Sequence, residues 1–352
     1  MSATQSIEKR LRVGVVGAGE VAQVVHLPVL SLLSHLYTTT AICDVSRKTA
    51  QHCASKFHIP FSATNATEVL SHPDVDVVFI LTSDEYHEPY TIAALQAGKH
   101  VMVEKPLTLS TPSAKRIIAA EAASGRIVFV CYMRRYAPSF EAFKREVASI
   151  PRILYARSRD FPGPNPTFVA QSGAFAVRNN DIPAALDKER TERIDALIAE
   201  VFSKPTPEAV TYLLGMPESI GGVSVNDPVY SAMFNYRGPS GSFAVTYESG
   251  WDDVPDFDAH LAIYGQTKRV TIKYDTPFVK GLPIKVSVQE KTEQGIQTRE
   301  IISSYEDAYT AELQELYECI VNGKPVKTTA SDALQDLQIY DMMYRKWLKR
   351  DE

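Results

Sequence analysis

The chain has 352 residues, room for two domains with cores of their own, and its 45% hydrophobic and 22% charged residues are those of a soluble globular protein. A net charge of −5 with both signs scattered argues against nucleic-acid and membrane partners. Cys43, Cys53, Cys131 and Cys319 show no CxxC or zinc-like spacing and lie mostly in apolar runs, so buried free thiols in a reducing compartment are expected, with no metal-ligand set. The first ten residues lack an apolar signal core and no apolar run reaches membrane-spanning length, so the expected location is cytoplasmic.

The stretch Leu11-Arg-Val-Gly-Val-Val-Gly17-Ala-Gly19-Glu20-Val21-Ala22 reads as a strand, a tight turn and a helix start. Gly17 permits the turn, Gly19 lets a pyrophosphate approach the backbone, and Ala22 lets the helix lie close to the strand with its N-terminus toward the phosphates. A second apolar strand, Thr38 to Asp44, ends in an acid placed to accept hydrogen bonds from the adenosine ribose hydroxyls and to repel a 2′-phosphate. That favours NAD(H). Arg47, just after, could hold a 2′-phosphate and leaves NADP(H) open.

Thr49 to Phe57 reads as a helix and Asp76 to Thr82 as a strand apolar on both faces, as a parallel sheet needs. Helix Pro89 to Ala97 stops at Gly98, and the short buried strand from His100 delivers Glu104 and Lys105 at its carboxyl end, the edge where open parallel sheets bind ligands. Helix Thr111 to Ser124 and strand Ile127 to Tyr132 complete a doubly wound domain. Thr82 and Ser83, at the end of their strand, join Gly17, Gly19, Glu20, Val21, Ala22, Asp44, Arg47, Glu104 and Lys105 as candidate cofactor contacts.

Beyond residue 130 the period changes to two. Arg152 to Asp160, Ser219 to Asn226, Val229 to Tyr236, Ser242 to Ser249, Phe257 to Gly265, Arg269 to Tyr274 and Ile284 to Glu290 read as half-buried strands of a large, open, mostly antiparallel sheet. One face of it is free to pack on another subunit. Helices Tyr305 to Val321 and Ser331 to Leu348 close the chain. The expected division is a Rossmann dinucleotide-binding domain over 1–130, a substrate and oligomerisation domain over 131–325, and a C-terminal helix over 326–352.

Lys105 is the candidate catalytic residue. An ammonium beside the crevice can hydrogen-bond a carbonyl or hydroxyl oxygen and stabilise the alkoxide that forms during hydride transfer; the alternative is a surface lysine paired with Glu104.

The blocks Gly14-Val-Val-Gly-Ala-Gly19, Ser83-Asp-Glu-Tyr-His87, Ala97-Gly-Lys-His-Val-Met-Val-Glu-Lys-Pro106, Tyr132-Met-Arg-Arg-Tyr-Ala-Pro138, Leu213-Leu-Gly-Met-Pro217 and Asn322-Gly-Lys-Pro325 run in one order over nearly the whole chain. In these blocks the chain resembles the Gfo/Idh/MocA oxidoreductases. The resemblance implies a Rossmann domain, an α/β domain whose open sheet makes a homodimer or homotetramer, and a C-terminal helix packed back on the first domain. It implies hydride exchange at a carbinol or carbonyl carbon of a sugar-like small-molecule substrate, with Lys105 matching the family's catalytic lysine and His87 near the nicotinamide side of the cofactor groove. Tyr132, Arg135 and Phe161 are the candidate substrate contacts, with Trp251, Asp252 and Asp253 plausible by position.

One departure stands out. The family carries an Asp-x-x-x-His pair just before the segment resembling Leu213-Leu-Gly, but an ungapped count puts Val201 and Pro205 there, and Glu208 where a further acid lies. Asp181 to Phe202 instead contains an amphipathic helix, with Ile194, Leu197, Ile198, Val201 and Phe202 on one stripe. Lys105 would then act alone or with Tyr132, Tyr136 or Tyr212; otherwise the chain binds a dinucleotide with altered or lost catalysis, as a partner subunit. His260, the single histidine after His100, is expected at an oligomer contact or solvent, and Arg134 in an ion pair with Glu141 or Asp160.

Overall fold

The computed structural model of the chain describes residues 9–203, 213–214 and 216–348. They form two compact units, one of residues 9–132, 174–203 and 312–337, the other of residues 133–173, 213–214, 216–311 and 338–348.

In the first unit β1 (Leu11–Val16) leads through a π-helical turn (Ala22–His26) into α1 (Leu27–Leu32). Then follow β2 (Tyr37–Cys43), α2 (Arg47–Lys56), β3 (Phe61–Ala63), α3 (Ala66–Leu70) and β4 (Val77–Ile80). The series ends with α4 (His87–Gln96), β5 (His100–Glu104), α5 (Thr111–Ser124) and β6 (Val128–Cys131). The six strands pair in parallel in the order β3-β2-β1-β4-β5-β6. The chain winds one way from β1 to β3 and the other way from β4 to β6, so the carboxyl ends of β1 and β4 border the crevice where such sheets take ligands. All residues of β4 and β6 are buried because helices cover both faces, which is why these strands read as unbroken apolar runs. Local chemistry sets the helix ends: Ser46 caps α2 by accepting from the Thr49 N–H, and α5 runs from its Ser110 cap to Gly125 at φ 63°.

The remaining chain forms α6 (Pro138–Ala148), β7 (Ile153–Phe161), α7 (Asn165–Gln171) and α8 (Ala184–Ser203). Then come β8 (Ser219–Asn226), β9 (Val229–Gly238), β10 (Gly241–Ser249), β11 (Asp258–Gly265), β12 (Lys268–Tyr274), β13 (Lys285–Thr292) and β14 (Gly295–Ile302), and last α9 (Ala308–Val321) and α10 (Ala330–Trp347). Strands β7 to β14 make one eight-stranded sheet in the order β14-β13-β12-β11-β7-β10-β9-β8, antiparallel except for the β7–β10 pair. Ala232, Phe234 and Tyr236 of β9 are buried while Met233, Asn235 and Arg237 between them are exposed, so one face carries the core and the other is open. The core face packs on Phe140, Phe143 and Val147 of α6. Ala330 and Ala333 of α10 lie in the core of the first unit, with Ala114 and Ile117 of α5.

Five elements have no counterpart in the sequence reading. β3 and α3 are three and five residues long, too short to show a period. α6 and α7 follow the parallel domain without a marked stop. β14 has no buried residue, since it is the edge strand, and so lacks the alternation that marks the others. Among the described residues no helix is long and apolar enough to cross a membrane.

Candidate active site

The turn after β1 shows why its two glycines differ. Gly17 sits at φ 95°, and a Cβ there would lie 2.7 Å from the Leu81 carbonyl oxygen, so only glycine fits. Gly19 is exposed, and a Cβ there would meet nothing within 4 Å, leaving the surface a pyrophosphate needs. Ala22 is fully buried and Val21 already has helical angles. The helix opens as a π-turn, with the Leu27 N–H returning to the Ala22 carbonyl. The Glu20 carboxylate is 2.7 Å from the Arg178 guanidinium, an ion pair with a residue far along the chain.

Asp44 follows β2 and is held by the turn it faces. Its Oδ2 accepts from the Ala18 N–H and its Oδ1 from the Ser46 N–H, both at 2.8 Å. Burial pushes its carboxyl above the ordinary range; these N–H groups oppose the rise and the charge of Asp181 adds to it. Each oxygen keeps lone pairs for ribose hydroxyls. Arg47 opens α2 with its side chain exposed.

At the carboxyl edge of the same sheet, Lys105 follows β5 with its side chain exposed. Its ammonium makes no hydrogen bond or ion pair among the described residues. Glu104 is not its partner. The Glu104 carboxylate turns inward, Oε1 accepting from Nε2 of the fully buried His26 at 2.8 Å and Oε2 from the Lys105 backbone N–H at 3.0 Å. Burial alone would push this carboxyl up; the hydrogen bond and charge of His26, with Lys105, outweigh it and hold the carboxyl below its ordinary value. His26, Glu104 and Cys131 bring one ligand-type atom each within 4.8 Å of one another. Glu312 of α9, fully buried with both carboxylate oxygens unpartnered, has its carboxyl pushed well above the ordinary range by burial and then by the charge of Glu104.

The loop after β4 completes this edge. His87, 1% exposed, has Nδ1 2.7 Å from the Pro106 carbonyl and Nε2 3.1 Å from the Thr82 carbonyl, so it ties the end of β4 to the segment carrying Lys105. Ser83 donates to Glu85 at 2.7 Å, and the Thr82 Oγ1 is buried without a partner. The fold therefore brings together two groups: Gly17, Gly19, Glu20, Val21, Ala22, Asp44 and Arg47 around the first turn, and Thr82, Ser83, His87, Glu104 and Lys105 around the ends of β4 and β5.

Tyr132 closes the first segment of this unit, half-buried. Arg135 and Phe161 belong to the second unit, where the Arg159 guanidinium lies 4.7 Å from the Phe161 ring centre. Arg134 pairs with Asp160 at 3.2 Å, as expected, and lies over the Tyr274 ring. His260 has Nδ1 3.3 Å from Asp258 and is largely covered. Pro205, Glu208, Tyr212 and the Val201 side chain fall outside the described residues.

The sequence reading found a helix within the segment 174–203 but not the contacts that make the segment part of the first unit. Val177 exchanges hydrogen bonds with the Gln23 amide at 2.8 and 3.0 Å, Asn179 donates to Thr49, Arg190 pairs with Glu85 at 2.9 Å, and Glu200 receives Arg116 at 2.8 Å. No local signal could have found these contacts, since each partner lies remote in sequence.

A parallel sheet with a glycine turn, an acid after its second strand and a lysine beyond its fifth defines a dinucleotide-binding oxidoreductase. Residues 11–132 match the profile of the oxidoreductase family's NAD-binding Rossmann fold and residues 257–350 that of its C-terminal alpha/beta domain. The chain belongs to the Gfo/Idh/MocA oxidoreductase family. It is 25% identical to the myo-inositol 2-dehydrogenase of Thermotoga maritima over 342 residues, 92% of each chain. Against the inositol 2-dehydrogenase of Paracoccus denitrificans it is 34% identical over 158 residues, 43% of this chain and 46% of that one. The fold is shared with KijD10, a 3-ketoreductase from Actinomadura kijaniata solved with NADP and TDP-benzene, at a TM-score of 0.70, 19% identity and 96% and 98% coverage.

Proposed function

We propose that the chain is an NAD(H)-preferring dehydrogenase or reductase acting at a carbinol or carbonyl carbon of a sugar-like or other small hydroxy substrate, with Lys105 as its catalytic residue. The observation that carries this reading is the Lys105 ammonium, exposed and unpaired at the carboxyl end of β5 beside the switch point of the sheet. Bound nicotinamide supplies the hydride chemistry. Lys105 holds the oxygen on the reacting carbon, stabilises the negative charge growing there, and in the reducing direction gives it a proton. His87 and the inward-turned Glu104 fix the backbone on either side of that lysine. Asp44 receives the ribose hydroxyls and Gly19 leaves room for the pyrophosphate. The full-length likeness to a myo-inositol 2-dehydrogenase supports a polyol or sugar substrate. Tyr132, Arg135 and Phe161 are its proposed contacts. The open face of the eight-stranded sheet is the proposed homo-oligomer surface.

The competing reading, a dinucleotide-binding partner subunit without turnover, is favoured by one observation: His260, the single histidine after His100, is engaged by Asp258. A polyol and sugar panel with NAD, assayed on wild type and Lys105→Ala, separates the two. Loss of about 10²- to 10³-fold in kcat in the variant supports the enzyme. Wild-type turnover by Lys105→Ala removes the lysine's role, and NADH binding without turnover on any substrate of the panel favours the partner subunit.

A further inference from the structure

Helix α2 offers, just beyond Asp44, the groups a phosphate on the adenosine 2′-oxygen would use: the Ser46 hydroxyl, the Lys48 backbone N–H and the neighbouring cations Arg47 and Lys48. The Ser46 hydroxyl and the Lys48 N–H are already engaged by a carboxylate. Asp181 accepts the Ser46 hydroxyl on Oδ1 and the Lys48 N–H on Oδ2, the latter at 3.1 Å, across 133 residues of sequence. The Ser46 hydroxyl has no donor capacity left, since its one proton goes to Asp181 while its oxygen accepts the Thr49 N–H.

Asp181 is seated by its own segment. The ion pair of Arg178 with Glu20, the two hydrogen bonds of Val177 with Gln23 and the Asn179–Thr49 bond fix residues 177–181 along the first turn and the start of α2. Two carboxylates therefore meet at the adenosine end of the site: Asp44 from β2 and Asp181 from the segment. Their mutual repulsion contributes to the raised carboxyl of Asp44.

We infer that Asp181 is a specificity-determining residue that selects NAD(H) by occupying the 2′-phosphate position, so that discrimination rests on two acids and not on Asp44 alone. A 2′-phosphate would have to displace Asp181 from Ser46 and Lys48 and then stay beside both negative charges. A ribose carrying a free 2′-hydroxyl needs only Asp44. The inference rests on the reading that this turn binds a dinucleotide.

The test is calorimetric titration of wild type, Asp181→Asn and Asp181→Ala with NADH and NADPH, after thermal melts show each protein folded. The Asn variant keeps a hydrogen-bonding side chain in place and removes only the charge. Wild type should prefer NADH, and both variants should gain at least tenfold in NADPH affinity while NADH affinity changes less than threefold. Raising the salt concentration should erode the gained NADPH affinity, because Arg47 and Lys48 would now face the phosphate. Selective NADH binding by wild type with an unchanged NADH to NADPH ratio in both variants overturns the role of Asp181 and leaves the cofactor reading standing. Preference of wild type for NADPH overturns it too. Binding of neither dinucleotide by folded wild type overturns the cofactor reading and the inference together.

Discussion

His26 and Glu104 form a buried pair at 2.8 Å, and through the other oxygen of Glu104 that pair holds the backbone N–H of Lys105. Removing one member strands the other in the interior, which typically costs about 3–5 kcal/mol. His26→Ala and Glu104→Ala should each lower stability by about that much, measured by denaturant unfolding. The Glu104 carboxyl is held below its ordinary value, so its contribution is present above the unfolded carboxylate range and is lost as pH falls through the folded value. Glu104→Gln should flatten that acid-side loss.

Glu312 behaves in the opposite sense. Burial raises its carboxyl well above the ordinary range, so it is neutral when folded and ionises on unfolding. The folded state then loses ground as pH rises above the unfolded value toward the folded one, by at most about 1.4 kcal/mol per unit. Glu312→Gln should remove this slope. Unfolding wild type and variant at pH 5 and pH 8 reads it directly: the variant's advantage should grow with pH, and a constant difference would remove the neutral carboxyl.

The two glycines of the first turn should separate stability from binding. Gly17→Ala places a Cβ 2.7 Å from the Leu81 carbonyl in a backbone conformation with φ 95°, and a cost of about 1–3 kcal/mol is expected along with loss of NADH binding. Gly19→Ala meets nothing within 4 Å and should leave the melting temperature unchanged while weakening NADH at least tenfold. Equal NADH affinity in Gly19→Ala would move the pyrophosphate elsewhere.

In the second unit Glu146 of α6 receives Arg299 from β14 at 2.8 Å and Lys268 from β12 at 2.6 Å. The Arg299 hydrogen bond leads in pulling its carboxyl down to about 2. Its stabilisation is complete above the ordinary glutamate range near 4.5 and is lost as pH falls from there through about 2. Glu146→Gln should cost about 1–3 kcal/mol at pH 7, and the difference from wild type should shrink on acidification.

The parallel domain, the strands of the second sheet with strong alternation, the glycine turn and the places of Asp44 and Lys105 after their strands were legible in the order of residues. Each rests on backbone and burial rules that act over a few residues: the period of a strand, the φ a turn demands, the carboxyl edge of a parallel strand. Helix α5 illustrates this, with its serine cap, first-turn proline and terminal glycine all in the local sequence. Where the charged side chains turn was not legible there, because it depends on groups remote in sequence. Glu104 and Lys105 are adjacent in sequence, yet Glu104 pairs with His26 across 78 residues and leaves Lys105 free. Asp181 reached Ser46 across 135 residues, inside a segment whose sequence announces only an amphipathic helix. A carboxylate settles where donors and burial lower its free energy, and those donors come from whatever the finished fold brings near.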